Sequence, residues 1–173
     1  IKPFQGYRSP PHTASTVSSP PYDVMTSDEA RDMVQGNPDS FLRVIKPEID
    51  FTPENEPKGD SLHEHGSENL QRYISDGKLV QDKNPCLYIY QIKMGDHTQT
   101  GIMAAVSIEE YNKGLIKKHE FTRPDKENDR TRHIEVTNAN TGPVFLTYRN
   151  CGQFQNEISE IKNQSPDVSF ISD

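Results

Sequence analysis

The segment from His119 to His133 carries the residues of this chain best suited to chemistry. It reads HEFTRPDKENDRTRH, in which four basic residues are offset by four acidic ones. From Arg123 to His133 it contains no aliphatic or aromatic residue. At the angular step of a helix, Arg123, Lys126, Arg130 and His133 fall within an arc of roughly 80°. The spacing predicts a helix with a cationic stripe and no apolar face.

A cationic stripe of this kind suits an anion, because guanidinium and ammonium groups bind phosphate oxygens. Arg132 lies in the same segment, and the hydroxyl of Thr122 could add a hydrogen bond. The predicted phosphate ligands are Arg123, Lys126, Arg130, Arg132 and His133. The alternative is an exposed helix whose charges pair with one another.

Proton transfer beside a bound phosphate requires a base, and His119 and Glu120 precede the stripe directly. A carboxylate there could deprotonate an attacking hydroxyl. We therefore predict Glu120 and His119 as catalytic residues. Local pairing of the two with Lys117 or Arg123 is the alternative.

Two other segments supply candidate ligand-binding residues. Tyr22 and Asp23 follow a proline pair that restricts the backbone, which suits a binding edge as well as a structural corner. Asn138 and Asn140 lie in a polar turn that could contact a ligand or simply close a loop.

Motifs of the common cofactor and metal sites are absent. The run His63-Glu64-His65 has ligand types that zinc accepts, but its spacing does not match the three- or four-residue separation of a helical pair. The sequence contains no phosphate-binding loop, no dinucleotide fingerprint, no nucleophile elbow and no CxxC pair. We predict no metal site formed by protein residues alone.

Composition narrows the class of protein. The 173 residues have 31% hydrophobic content and a net charge of −7, with a mean hydropathy of −0.85 and a pI near 5.4. This acidity argues against a nucleic-acid binder, and no run is long enough for a membrane span. Two cysteines and no signal region indicate a cytoplasmic protein. The first residue, Ile1, and the abrupt end lead us to expect an N-terminal fragment of a longer protein.

Periodicity and turn residues predict a single α+β domain over residues 1–173, a mixed sheet with short flanking helices. The first 25 residues are expected to be extended, and residues 46–59 to form an exposed loop. Helices are predicted at 26–36, 61–76, 107–114 and 154–162, and strands at 41–45, 86–92, 100–106 and 144–148. Capping boxes that begin at Thr26 and Ser107 open two of the helices, and Gly95-Asp96 is predicted to join two of the strands in a hairpin.

Five segments, in order, resemble a known family. They are PPYDV at 20–24, NPDSFLRVIKPEID at 37–50, LYIYQ at 87–91, IKKHEFTRPDKENDR at 116–130 and NANTGPVFLTYR at 138–149. The family is the widespread prokaryotic domain of unknown function numbered one thousand and fifteen. Its members are longer than this chain, and the resemblance covers the N-terminal half.

The later part of that family is similar to free serine kinases of the ParB/sulfiredoxin-like group, in a histidine–arginine block that this chain lacks. The resemblance implies a cytosolic α+β protein with a ParB/sulfiredoxin-like lobe. The expected activity is that of a small-molecule phosphotransferase, similar to a free amino-acid kinase, using ATP or ADP with Mg²⁺. Its partner would be a small phosphorylated molecule or nucleotide. The alternatives are a non-catalytic nucleotide-sensing or interaction module, and a scaffold whose chemistry lies in a missing C-terminal half.

Overall fold

A computed structural model of the chain describes residues 1–118, 121–149, 152 and 155–172. These residues form an α+β fold, as predicted, with helices beside two small two-stranded sheets. The helices are α1 Ala14–Val17, α2 Ser27–Met33, α3 Leu42–Ile45, α4 Asp60–Ser75, α5 Ile108–Asn112, α6 Pro124–Thr137 and α7 Gln155–Lys162. The strands are β1 Tyr7–Arg8, β2 Val80–Gln81, β3 Tyr88–Met94 and β4 His97–Met103.

The chain divides into two compact units, which we describe separately. The first unit comprises residues 1–8, 81–121 and 146–169, and the second comprises residues 9–80, 122–145 and 170–173. The second unit contains every described candidate site residue, so its architecture is the one that matters for function.

The first unit is built on the antiparallel hairpin of β3 and β4. Its two-residue turn is Gly95-Asp96, as predicted, and Gly95 has a positive φ of 59° that glycine adopts without strain. Tyr88 anchors the N-terminal segment to this hairpin, because its hydroxyl accepts the Gly6 N–H at 2.8 Å and donates to Asp82 at 2.7 Å.

The second unit contains a hydrophobic core contributed by α1 to α4. Its largest fully buried apolar side chains are Tyr73 and Leu42. The Tyr73 hydroxyl donates to the carbonyl of Ser40 at 2.9 Å, which satisfies the buried group, and burial raises its pKa to about 12.

Local signals placed several helix ends correctly. Thr26 and Glu29 form the predicted capping box of α2, with both reciprocal hydrogen bonds present. Ser107 caps α5 by accepting the Glu110 N–H. Helix α4 begins within one residue of its predicted start and ends one residue before its predicted end.

Four local predictions were wrong. Residues 42–45 form helix α3 instead of a strand. The exposed loop expected at 46–59 begins with a 3₁₀ turn, Pro47–Asp50, in which Pro47 and Ile49 are buried. The first 25 residues are not wholly extended, since α1 and a 3₁₀ turn at Tyr22–Val24 interrupt them. Residues 144–148 are described and form no strand; Val144 and Phe145 are exposed.

Helix α4 approaches α3 closely at Gly66. A Cβ atom added to Gly66 would lie 2.9 Å from the carbonyl oxygen of Val44 and 3.4 Å from Cε1 of His133. The contact at 2.9 Å is with backbone, which cannot rotate away. A glycine is therefore required where α3, α4 and α6 meet.

The substitution Gly66→Ala tests this requirement. Alanine at an open helix position stabilises by about 1 kcal/mol relative to glycine, whereas overpacking costs about 1–3 kcal/mol. We expect a net loss in the free energy of unfolding, measured by urea denaturation followed by circular dichroism. The matched control is Glu64→Ala at an exposed position of the same helix, expected to stay within about 0.5 kcal/mol of the parent. A Gly66→Ala protein as stable as the control would contradict the packing argument.

Candidate functional site

Residues 124–133 of the segment that the sequence marks as reactive lie in helix α6, and that helix does have a buried face. Pro124 occupies its first turn, and Asn138 ends it in the left-handed conformation, with φ 51°. His133 and Thr137, one turn apart, are the buried residues. As predicted, α6 has no apolar side chain from Asp125 to His133. Its buried face is formed by polar residues, His133 and Thr137.

Helix α6 packs against α4 through polar groups. The rings of His63 and His133 meet edge to face, with centroids 5.8 Å apart. At the start of α4, Arg132 donates to both carboxylate oxygens of Asp60 at 2.7 and 2.8 Å. Further along, the Ser67 hydroxyl donates to the carbonyl of Val136 at 3.3 Å. These contacts fix which side of α6 faces the second unit's core.

His133 is neutral at physiological pH and does not belong to a cationic stripe. Its side chain is 1% exposed, and neither ring nitrogen has a hydrogen-bond partner among the described residues. Burial, followed by the positive charge of Arg130 and the neighbouring His63, lowers its pKa to about 4. The cationic role predicted for His133 is therefore corrected to a packing role beneath the cations.

Arg130, one turn before His133, lies over the ring of Tyr22. Its guanidinium carbon is 4.4 Å from the ring centroid, within the range of a cation–π contact. Its Nη1 atom donates to the carbonyl of Ile45 at 3.3 Å. Its Nε and Nη2 atoms donate to Oδ2 of Asp129 at 3.0 and 2.7 Å. The guanidinium is thus held in one plane by an aromatic ring, a carbonyl and a carboxylate.

The polar turn after α6 lies beside the same tyrosine. Ala139 packs against the core together with Tyr22, and a Cβ atom added to Gly142 would lie 4.0 Å from the Tyr22 ring. Asn138 and Asn140 are exposed in this turn. The structure therefore brings together three segments that the sequence marked separately: the Tyr22 turn, α6 and residues 138–142. We call this group, defined by Tyr22, Arg130 and residues 138–142, the Tyr22–Arg130 cluster.

Other predicted phosphate ligands lie away from this cluster or are already paired. Arg123 precedes α6 and pairs with Asp125 at 2.7 Å, while Arg132 is held by Asp60. Lys126 is exposed one helical turn before Arg130 and can contribute to the same face. Asp23, next to Tyr22, is also exposed.

The two predicted catalytic residues, His119 and Glu120, lie outside the described residues. Their predicted role in proton transfer stays a prediction.

Sequence reasoning did not identify Asp129 and His63 as parts of the site. Asp129 was counted only as an offsetting charge, and His63 only as half of a metal motif. The available signal for His63 was its spacing from Gly66 and Leu70, which places the three on one face of α4.

The second histidine of that motif, His65, faces a different partner. Its Nε2 atom lies 2.8 Å from Oδ2 of Asp50, and the same oxygen accepts from Asn69 at 3.0 Å. The other oxygen, Oδ1, accepts from Arg43. Burial alone would raise the pKa of Asp50, but the hydrogen bonds from His65, Asn69 and Arg43 outweigh burial and lower it. This network joins α4 to α3 and the turn after it. Within the described ranges, no three His, Cys, Asp or Glu side chains group so as to hold a metal ion.

A family comparison identifies the chain. The family model described as "Protein of unknown function (DUF1015)" matches residues 1–173. The chain belongs to the DUF1015 family. Neither the curated proteins nor the solved structures contain a match to it.

Two further features of this DUF1015 chain concern the character of its helices and a depression on its surface. None of the helices in the described part of the chain combines the length and apolar character needed to cross a membrane. An open depression of about 560 Å³ between α4 and α6 is lined by Glu64, Ser67, Glu68, Gln71 and Val136. Its two carboxylates, Glu64 and Glu68, make this depression unfavourable for an anion.

The neutral state of His133 predicts an acid-sensitive stability. The unfolded chain binds a proton at this residue below its ordinary pKa of 6.5, whereas the folded chain does so only near 4. The free energy of unfolding is therefore unaffected above pH 6.5 and falls as the pH is lowered from 6.5 to 4, by on the order of 3 kcal/mol.

Urea denaturation across this pH range measures the effect, and His133→Leu is the comparison. The leucine variant lacks the titrating group, so its stability should fall less steeply over the same interval. Equal slopes for the two proteins would contradict a buried neutral His133.

Proposed function

We propose that this DUF1015 chain handles a phosphorylated small molecule or nucleotide, and that the Tyr22–Arg130 cluster contacts its phosphate. The observation that carries the proposal is the position of the Arg130 guanidinium over Tyr22, beside the polar turn 138–142. A planar guanidinium presents paired N–H donors that match phosphate oxygens.

The position of Arg130 limits the cost of binding. Arginine normally loses side-chain freedom when it binds a ligand. Here the contacts with Tyr22 and the Ile45 carbonyl already restrict it. Restriction before binding means that less conformational entropy is lost when an anion arrives.

The surroundings supply further groups that suit a phosphate. Lys126 adds a second cation on the exposed side of the same helix. Asn138 and Asn140 offer side-chain amides that can donate hydrogen bonds. The overall charge of −7 disfavours a nucleic acid as the ligand relative to a small anion.

The proposed activity is that of a cytosolic phosphotransferase similar to free amino-acid kinases, with a ParB/sulfiredoxin-like lobe. ATP or ADP would bring Mg²⁺, coordinated largely by phosphate oxygens. Glu120 or His119 would move the proton from the acceptor hydroxyl. Arg130, Lys126 and the 138–142 turn would hold the phosphate and orient it.

A nucleotide-sensing module is the second candidate, and one observation favours it. Each acidic residue of α6 is engaged: Asp125 with Arg123, Glu127 with Thr122, Asp129 with Arg130, and Glu135 with Arg132. A carboxylate occupied in this way is a poor general base, so these groups support binding more than catalysis.

Calorimetric titration of ATP, ADP and pyrophosphate, with and without Mg²⁺, tests the proposal. A charge-assisted hydrogen bond contributes about 1.5–3 kcal/mol. Arg130→Ala should therefore weaken binding by about tenfold or more. Lys113→Ala is the matched control, since Lys113 is an exposed cation of the other unit that pairs with Glu109.

Three results decide between the candidates. Absence of binding, or equal affinities of the parent and Arg130→Ala, would reject the proposed site. Binding together with formation of a phosphorylated product from serine and nucleotide supports the phosphotransferase. Binding without turnover of nucleotide supports the sensing module.

A further inference from the structure

Asp129 occupies the edge of Arg130 that a phosphate would use. Its Oδ2 atom accepts from Nε and Nη2 of Arg130 at 3.0 and 2.7 Å. The remaining terminal nitrogen, Nη1, is turned toward the Ile45 carbonyl. An anion that binds the Nε–Nη2 edge of Arg130 must therefore displace this carboxylate.

The other oxygen of Asp129 faces a histidine. Oδ1 lies 3.6 Å from Nε2 of His63, too far for a hydrogen bond but close enough for an ion pair once His63 carries a proton. The Asp129 carboxylate thus lies between Arg130 and His63, with one oxygen directed at each. A small rotation of the Asp129 side chain would exchange the first contact for the second.

We propose that Asp129 is the internal counter-ion of the anion site and that phosphate binding transfers it from Arg130 to His63, with uptake of one proton by His63. This inference rests on the proposed function. No covalent bond changes: the ligand's oxygens replace the carboxylate at Arg130, and a proton from solvent neutralises the released carboxylate through His63.

The neighbouring charges favour His63 as the group that takes the proton. The charged and titratable groups around it are Asp129, Arg130 and His133 on α6, and Asp60 on its own helix. In the free protein the positive charge of Arg130 opposes a second cation nearby. A bound phosphate cancels that charge and frees the carboxylate, and both changes favour the imidazolium.

His133 does not compete for this proton. It is fully buried, and the same positive neighbours hold its pKa far below that of an ordinary histidine. His63 is the histidine of the pair that lies beside a carboxylate oxygen.

The arrangement also makes Asp129 a determinant of specificity. A singly charged anion must compete with an intramolecular carboxylate of equal charge, which has the advantage of being attached to the protein. A phosphate dianion carries more charge and more acceptor oxygens. The site should therefore reject chloride and carboxylates and admit phosphate groups.

Sulfate is the probe for the proton coupling, because its charge stays constant across the range in which histidine titrates. Its dissociation constant is measured by titration monitored by nuclear magnetic resonance at about pH 6 and about pH 8. The parent protein should bind sulfate about tenfold more tightly at the lower pH. ADP is titrated in parallel to establish that the site accepts a phosphate ligand.

Two variants separate the roles. Asp129→Asn removes the counter-ion, so sulfate should bind more tightly at the higher pH and lose its pH dependence. His63→Gln keeps a polar side chain but cannot take up the proton, so sulfate should bind weakly at both pH values. His12→Gln in the same unit, outside this cluster, is the control and should behave like the parent.

The outcomes distinguish this inference from the proposed function. If neither sulfate nor ADP binds, both are overturned. If they bind with an affinity that does not depend on pH, or if Asp129→Asn binds more weakly than the parent, the coupling is overturned while the anion site stands.

Discussion

The contact between α4 and α6 is the constraint on which the functional arrangement depends. A helix whose first ten residues lack aliphatic side chains cannot dock by hydrophobic burial alone. Here a neutral imidazole, His133, replaces the missing apolar residue and packs against His63. Gly66 makes room for this contact by allowing close approach of the backbones. Because His133 faces inward, Arg130 one turn earlier must lie on the same side of the helix. There its guanidinium lies over the ring of Tyr22.

The turn and the helix caps that the sequence predicted correctly are encoded by a few adjacent residues. The capping box at Thr26 and Glu29, the cap at Ser107 and the turn at Gly95 each act through neighbouring backbone groups. The failures have a different cause. The run FLRVI at 41–45 is rich in residues that favour strands, but a short apolar run fits a buried helix equally well. Tertiary packing decides between the two, and Leu42, Val44 and Ile45 are all buried in the helix.

The candidate site shows the same division between local and tertiary information. Arg130 and Tyr22 could each be selected from sequence, one by helical spacing and the other by the prolines before it. Their contact could not be, because it requires the docking of α6 against α4. The wrong charge predicted for His133 also has a physical cause. Its spacing matches that of the cations, but burial converts a residue counted as positive into a neutral one.

The pairing of the α6 cations with carboxylates affects how strongly the Tyr22–Arg130 cluster could bind an anion. Exposed ion pairs contribute little to stability, on the order of 0–1 kcal/mol, so the pairs along α6 are inexpensive to break. They bear on binding as well, because an anion at the Nε–Nη2 edge of Arg130 would replace the Asp129 carboxylate. Raw affinity is reduced for every anion, but least for one with several charges and several acceptor oxygens. A chain that keeps its cations paired in this way favours selectivity among anions over strength of binding.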